Sequence, residues 1–161
     1  MKKLFILFAA TFLLMSCSNP TTFTEESKTE KLVTLSGKEI TFKEILDKHK
    51  GKKIVLDVWA SWCKDCIVRL PNLKQLQKDF PNVSFVFLSH DRTPQSWKRG
   101  IQRFGIVGDH YLMPEKMDGP LADFLNLWWI PRYVVIDEQQ NITLFKATKI
   151  TDSKIVKALK K

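Results

Sequence analysis

The apolar positions of this chain come in short runs whose period changes from segment to segment. Lys53–Trp59 is almost continuously apolar, as a strand buried on both faces is, and Val83–Ser89 repeats the pattern. Between them, Ile67, Leu70, Leu73 and Leu76 recur at the spacing of one helix face. Cys63–Phe80 therefore reads as a helix, with Pro71 inside it to kink the axis. Thr41–His49 carries Phe42, Ile45 and Leu46 at helical spacing. Thr41 and Glu44 form a capping box at its start, and Gly51 ends it. Gln95–Phe104 and Asp118–Leu127 read as further helices, and Asp152–Lys160 as a terminal amphipathic one with Ile155, Val156 and Leu159 inward. Leu32–Ile40 reads as a short strand or hairpin around Gly37. Tyr133–Asp137 and Ile142–Ala147 read as antiparallel strands joined by a turn at Asp137–Asn141. Strands alternating with helices predict a βαβ unit and a parallel sheet, and the closing hairpin makes the sheet mixed. The fold class is α/β, with no internal repeat.

The N-terminus follows a different pattern. Lys2-Lys3 precedes the uncharged, mostly apolar run Leu4–Met15, which is short for a bilayer span and has the outline of a secretory signal. Leu14-Met15-Ser16-Cys17 resembles the bacterial lipobox, with Met15 bulkier than the usual residue there. An ordinary cleaved signal that contains a cysteine is the plainer alternative. The resemblance implies a signal peptide over residues 1–16, a lipidated Cys17 that opens a flexible tether over 17–31, and a folded domain over 32–161. The tether is expected from its Ser, Thr and Glu content. Lipidation of Cys17 would anchor the protein in the lipid bilayer of the bacterial cell envelope, on its periplasmic face. Inner and outer membrane both stay open.

Charge changes this picture little. The formal net charge is +9, and the lysines are spread along the chain apart from a cluster at its end. Nucleic-acid binding needs a basic stripe with a reading element, so no nucleic-acid partner is expected. Solvated helix faces and some attraction to anionic lipid account for the excess.

Of three cysteines, Cys63 and Cys66 remain once Cys17 is set aside. Residues three apart lie one helical turn apart on the same side. Such a pair can close a disulfide and reopen it, and a C-x-x-C between a strand and a helix reads as a redox motif. A structural disulfide is one alternative. Metal binding is another, but a structural zinc wants four ligands, and His49, His90 and His110 are scattered. No metal site is expected.

The segment Asp57-Val58-Trp59-Ala60-Ser61-Trp62-Cys63-Lys64-Asp65-Cys66, the Ile130-Pro131 pair before a strand, and Val134-Val135-Ile136-Asp137 before a turn carry a family resemblance. From Leu32 to its end the chain resembles the thioredoxin superfamily, and within it the membrane-anchored TlpA/ResA-like thiol–disulfide oxidoreductases. The resemblance implies a thioredoxin-like fold: a central mixed sheet, flanking helices, and an αβ insertion between the C-x-x-C helix and a cis-proline. It implies Cys63 as nucleophile, Cys66 as resolving thiol, and Asp57 as the buried acid that moves the proton of Cys66. Burial alone would raise the pKa of Asp57, although Asp57 could simply face a polar pocket. Pro131 matches the cis-proline, Ile130 the residue whose backbone meets substrate, and Trp62 the apolar rim. Trp59 reads as core, Trp128 and Trp129 as core or rim, and His90 with Asp91 as a surface loop. Arg132, unusual after this proline, would favour acidic substrates.

The main departure lies inside the motif, where Lys64 and Asp65 stand in place of a dipeptide ending in proline. Their charges act oppositely on a Cys63 thiolate, so the direction of electron flow is open on sequence alone. The resemblance favours a reductase of disulfides in exported proteins, re-reduced by a membrane thiol electron donor. It needs no cofactor beyond the Cys63–Cys66 disulfide. An oxidase or isomerase, and a non-enzymatic metal-handling lipoprotein, are the alternatives.

Overall fold

The computed structural model describes residues 19–161, so the expected signal peptide and Cys17 lie outside the described residues. Among these residues seven strands form one sheet: β1 (Lys31–Thr34), β2 (Glu39–Thr41), β3 (Ile54–Trp59), β4 (Ser84–Ser89), β5 (Asp109–Leu112), β6 (Arg132–Ile136) and β7 (Ile142–Ala147). Their order is β2-β1-β5-β4-β3-β6-β7. Strands β3, β4 and β5 run parallel, and every other pairing is antiparallel. The sheet is mixed, as the alternation of periods predicts. All six residues of β3 are buried, which accounts for its unbroken apolar run: it is hydrogen-bonded between β4 and β6.

Among the described residues seven helices flank the sheet: α1 (Glu25–Thr29), α2 (Phe42–Lys48), α3 (Lys64–Val68), α4 (Leu70–Asp79), α5 (Pro94–Phe104), α6 (Pro120–Leu125) and α7 (Ser153–Leu159). The capping box of α2 is present: Glu44 N donates to Thr41 Oγ1 at 3.2 Å, and Thr41 N to Glu44 Oε2 at 2.8 Å. The helix expected over Cys63–Phe80 is two helices that meet at Arg69. Pro71 falls in the first turn of α4, where a missing N–H leaves no helical bond unmade, so the chain breaks before the proline. The stretch expected to hold an additional αβ unit, between Cys66 and Pro131, contains α5, β5 and α6. Strand β5 was not predicted: its four residues, Asp-His-Tyr-Leu, show no alternation.

The tether gives way to structure earlier than its composition suggests. Thr24 caps α1 through a bond from Ser27 N to Thr24 Oγ1 of 3.2 Å. Phe23 is buried, with its ring centroid 4.9 Å from that of Phe42 and 5.0 Å from that of Phe124. Ile142 N donates to the Thr21 carbonyl at 2.7 Å. The Ser/Thr/Glu content of residues 24–29 is that of a capped, half-solvated helix, and one apolar side chain docks it. Glu30 follows α1 and its Oε2 accepts from Leu121 N at 2.6 Å, capping α6. Among the described residues no helix is long and apolar enough to cross a membrane.

Candidate active site

The C-terminal end of β3 feeds the site. The chain leaves Trp59, turns through Ala60-Ser61-Trp62, and enters α3 at Cys63, the N-cap residue. Cys63 and Cys66 are joined in a disulfide, with Cα atoms 5.3 Å apart. Cys66 N donates to Cys63 Sγ at 3.1 Å. The first N–H groups of a helix lack intrahelical partners, and its dipole favours negative charge there. A Cys63 thiolate released by opening the bond is therefore stabilised where it stands. Cys63 is 5% exposed and Cys66 4%. Cys63 nevertheless lines an open cleft of about 500 Å³, together with Trp62, Met117, Trp128, Trp129 and Ile130.

The loop after α6 supplies the opposite wall. Asn126 ends α6 in the left-handed conformation, and the next residues present Trp128, 72% exposed, and Trp129, 39% exposed. Both belong to the rim rather than the core, as does Trp62 at 60%. Trp59, at 2%, is core, as expected. Ile130–Pro131 is a cis peptide bond, and the Ile130 carbonyl oxygen lies 3.8 Å from Cys63 Sγ. The structure thus brings Trp62, Cys63, Cys66, Ile130 and Pro131 together.

Asp57 sits within β3, opposite Tyr133 in the register with β6 and opposite Phe87 in the register with β4. It is 4% exposed, and its Oδ1 has no hydrogen-bond partner. Desolvation pushes its pKa up to about 8. An ordinary thiol titrates near ~8.5, so a proton passes between such a carboxyl and a cysteine with little driving force either way. Burial and the charge of Asp57 also hold the Tyr133 hydroxyl well above the usual phenol range.

Three residues stand elsewhere than the sequence suggests. His90 and Asp91, expected in a surface loop, are 3% and 1% exposed. They follow β4 directly, and contacts remote in sequence cover them. Asp91 Oδ2 accepts from Ser61 N at 3.0 Å and from Ser89 Oγ at 2.8 Å, and its Oδ1 accepts from Ser61 Oγ at 2.5 Å. Burial pushes the His90 pKa down to about 4, so its imidazole is neutral near pH 7. Arg132, expected to face substrate, is 3% exposed and donates to the Asn126 carbonyl at 3.2 Å. Strand β6 buries every residue it carries, so Arg132 braces the tryptophan loop from behind instead of meeting a partner.

Sequence reasoning passed over Ser61, Arg92, Lys116 and Met117, which join Trp62, His90 and Asp91 around a second cleft. The available signal was position: polar residues just past the carboxyl end of a parallel strand lie where open α/β sheets meet their ligands.

A family model described as thioredoxin-like matches residues 51–142. The thioredoxin-like protein YneN of Bacillus subtilis is 31% identical over 110 residues, covering 67% of this chain and 61% of that protein. The thiol-disulfide oxidoreductase ResA of Bacillus thuringiensis is 30% identical over 74 residues, covering 45% of this chain and 40% of that protein. The chain thus spans about three fifths of the first relative and two fifths of the second. Among solved structures, a candidate thiol-disulfide oxidoreductase from Bacteroides vulgatus superposes with a TM-score of 0.66 at 27% identity, over 81% of this chain and 83% of that one.

Proposed function

The chain belongs to the thioredoxin-like family, and from that membership we propose that it is a thiol–disulfide oxidoreductase of the bacterial cell envelope. In this reading it is lipid-anchored through Cys17, faces the periplasm, and reduces disulfides in exported proteins. One observation carries the reading: a closed Cys63–Cys66 pair whose leading sulfur caps a helix and borders a tryptophan-lined cleft. The names of the relatives support the chemistry, and Lys2–Cys17 supports the address.

The reaction follows from the geometry. In the reduced protein the Cys63 thiolate attacks one sulfur of a substrate disulfide, forming a mixed disulfide and releasing a substrate thiolate. The Cys66 thiol then gives its proton to the Asp57 carboxylate and attacks Cys63 Sγ. The Cys63–Cys66 disulfide closes and the second substrate sulfur leaves as thiolate. Two electrons pass from the protein dithiol to the substrate, and a membrane thiol donor returns them. The pair is itself the redox centre, and these steps balance without a cofactor. Trp62 and the Ile130 backbone border the attacked sulfur, where they hold substrate chain.

The test has two parts. The full chain in detergent should reduce insulin with dithiothreitol as donor, and Cys66→Ser should trap mixed disulfides in cells while Cys63→Ser traps none. Absence of both activities overturns the reading. The direction is tested by the reduction potential: a value near thioredoxin's, roughly −270 mV, supports net reduction, and one near roughly −120 mV reverses it.

A further inference from the structure

Cys63 borders one cleft directly, and a second, unlike cleft adjoins that one. On one side Trp128, Trp129 and Ile130 line a cleft of about 500 Å³. On the other, His90, Arg92 and Lys116 line a cleft of about 900 Å³. Trp62 and Met117 line both, so the two adjoin there as one furrow, which Cys63 borders on the tryptophan side only. One arm carries the tryptophans, with the opposite charges of Lys64 and Asp65 also in its lining. The other carries two exposed cations, Arg92 and Lys116, and neither makes an ion pair with any described residue.

The acidic group in the second arm is not itself presented at the surface. Asp91 is 1% exposed, and both its oxygens accept from Ser61 and Ser89. His90 adds no charge near pH 7, because burial holds it neutral, and its Nε2 has no hydrogen-bond partner. The arm therefore offers two free cations to whatever lies in it. The excess of basic residues that remains once residues 1–16 leave draws partners of the same acidic kind toward it.

We propose that the furrow selects an extended polypeptide segment, with an apolar or aromatic side chain on one side of its cystine and acidic side chains on the other. The apolar side rests against Trp128 and Trp129, and the acidic side faces Arg92 and Lys116. This rests on the oxidoreductase reading and names its substrate class. Exposed ion contacts are individually modest and are screened by salt. Two of them amount to a discrimination of about fivefold at low ionic strength.

Three cystine peptides of one length and one aromatic residue, differing only in an Asp-Glu, Ser-Gln or Lys-Lys flank, test the proposal against the full chain in detergent. The reduced protein should turn over the acidic peptide about fivefold better in kcat/KM than the neutral one, and the basic peptide worst, chiefly through KM. The order should fade at 0.5 M salt. The double variant Arg92→Gln/Lys116→Gln, checked for an unchanged melting temperature, should bring the acidic-to-neutral ratio to about one. Equal rates for all three peptides, or a preference that survives in the double variant, overturn the proposal.

Versions of the peptides with the cystine replaced by a non-reducible thioether bridge, followed by tryptophan fluorescence, separate the two readings. If no peptide is reduced yet the acidic one binds best, the furrow stands and the oxidoreductase reading falls. If none is reduced and binding shows no charge preference, both fall.

Discussion

Asp91 holds Ser61 at two points, accepting from its backbone N–H at 3.0 Å and from its hydroxyl at 2.5 Å. One residue has just left β4. The other lies two positions before Cys63, between β3 and α3. The carboxylate thus ties the ends of two parallel neighbours to each other at the entrance to the site, and Ser89 Oγ steadies it from below.

Asp91→Ala removes three accepted hydrogen bonds and leaves the Ser61 amide and two hydroxyls to find new partners. Hydrogen bonds to a charged group are worth about 1.5–3 kcal/mol each, with incomplete additivity. We expect a loss of about 3 kcal/mol in urea unfolding of the oxidised protein. Disulfide reduction should fall about tenfold, because Trp62 and Cys63 lose their fixed approach. Wild-type stability with wild-type rate would show that the tie is incidental.

The same serine is closed in from the other side. A Cβ added at Gly100, in the buried face of α5, would overlap Ser61 Cβ. Alanine is the better helix former by about 1 kcal/mol, so Gly100→Ala would stabilise an open helix. Here overpacking opposes it, and we expect a net loss of about 1–2 kcal/mol. In a Ser61→Gly background the overlap is gone and the alanine should be neutral or stabilising. A double-mutant cycle from thermal unfolding, with a coupling of at least about 1 kcal/mol, is the expected result.

Ser61 and Asp91 also mark where the sequence stops being legible. The elements with a strong period or a cap chemistry are readable from it: the Thr41–Glu44 box, the unbroken run of β3, the terminal helix. So are Cys63, Cys66 and Pro131 as a group, because motif and spacing are local. His90 and Asp91 are polar and follow a strand, which reads as a loop, yet both are buried and Ser61 closes on Asp91. Arg132 reads as exposed because nothing local says that β6 is buried throughout. Strand β5 has no period of its own; its pairing with β1 and β4 creates it. In each case the missing information lies in contacts between segments far apart in sequence.

The early start of the folded region is testable in the same terms. Phe23→Ala removes a ring packed between Phe42 and Phe124, for an expected cost of about 3 kcal/mol. A chain beginning at Leu32 should lose at least as much relative to one beginning at Asn19, since it also lacks α1 and the Glu30 cap on α6. Equal urea midpoints for the two chains would restore the longer tether.

Asp57 gives the chain a pH dependence whose sign runs against the usual carboxylate. Its folded pKa stands at about 8, above the ordinary range, because of burial. Between an unfolded value near ~4 and that folded value, the native state holds a proton that the unfolded chain gives up. Stability therefore falls as pH rises through this window and is greatest at its acid end. Asp57→Asn is neutral throughout and should flatten the profile, so the difference between the two proteins isolates this carboxyl. Melting curves of the oxidised form suit the measurement, because a closed disulfide does not titrate. The same substitution should act on turnover in the opposite sense. In the reduced protein Asp57 accepts a proton only once ionised, so closure of the mixed disulfide should accelerate as pH approaches 8. Asp57→Asn should slow that step about 100-fold and erase its rise with pH. Parallel melting profiles for the two proteins from pH 5 to 8, or an unchanged rate profile in the variant, would remove Asp57 from the mechanism.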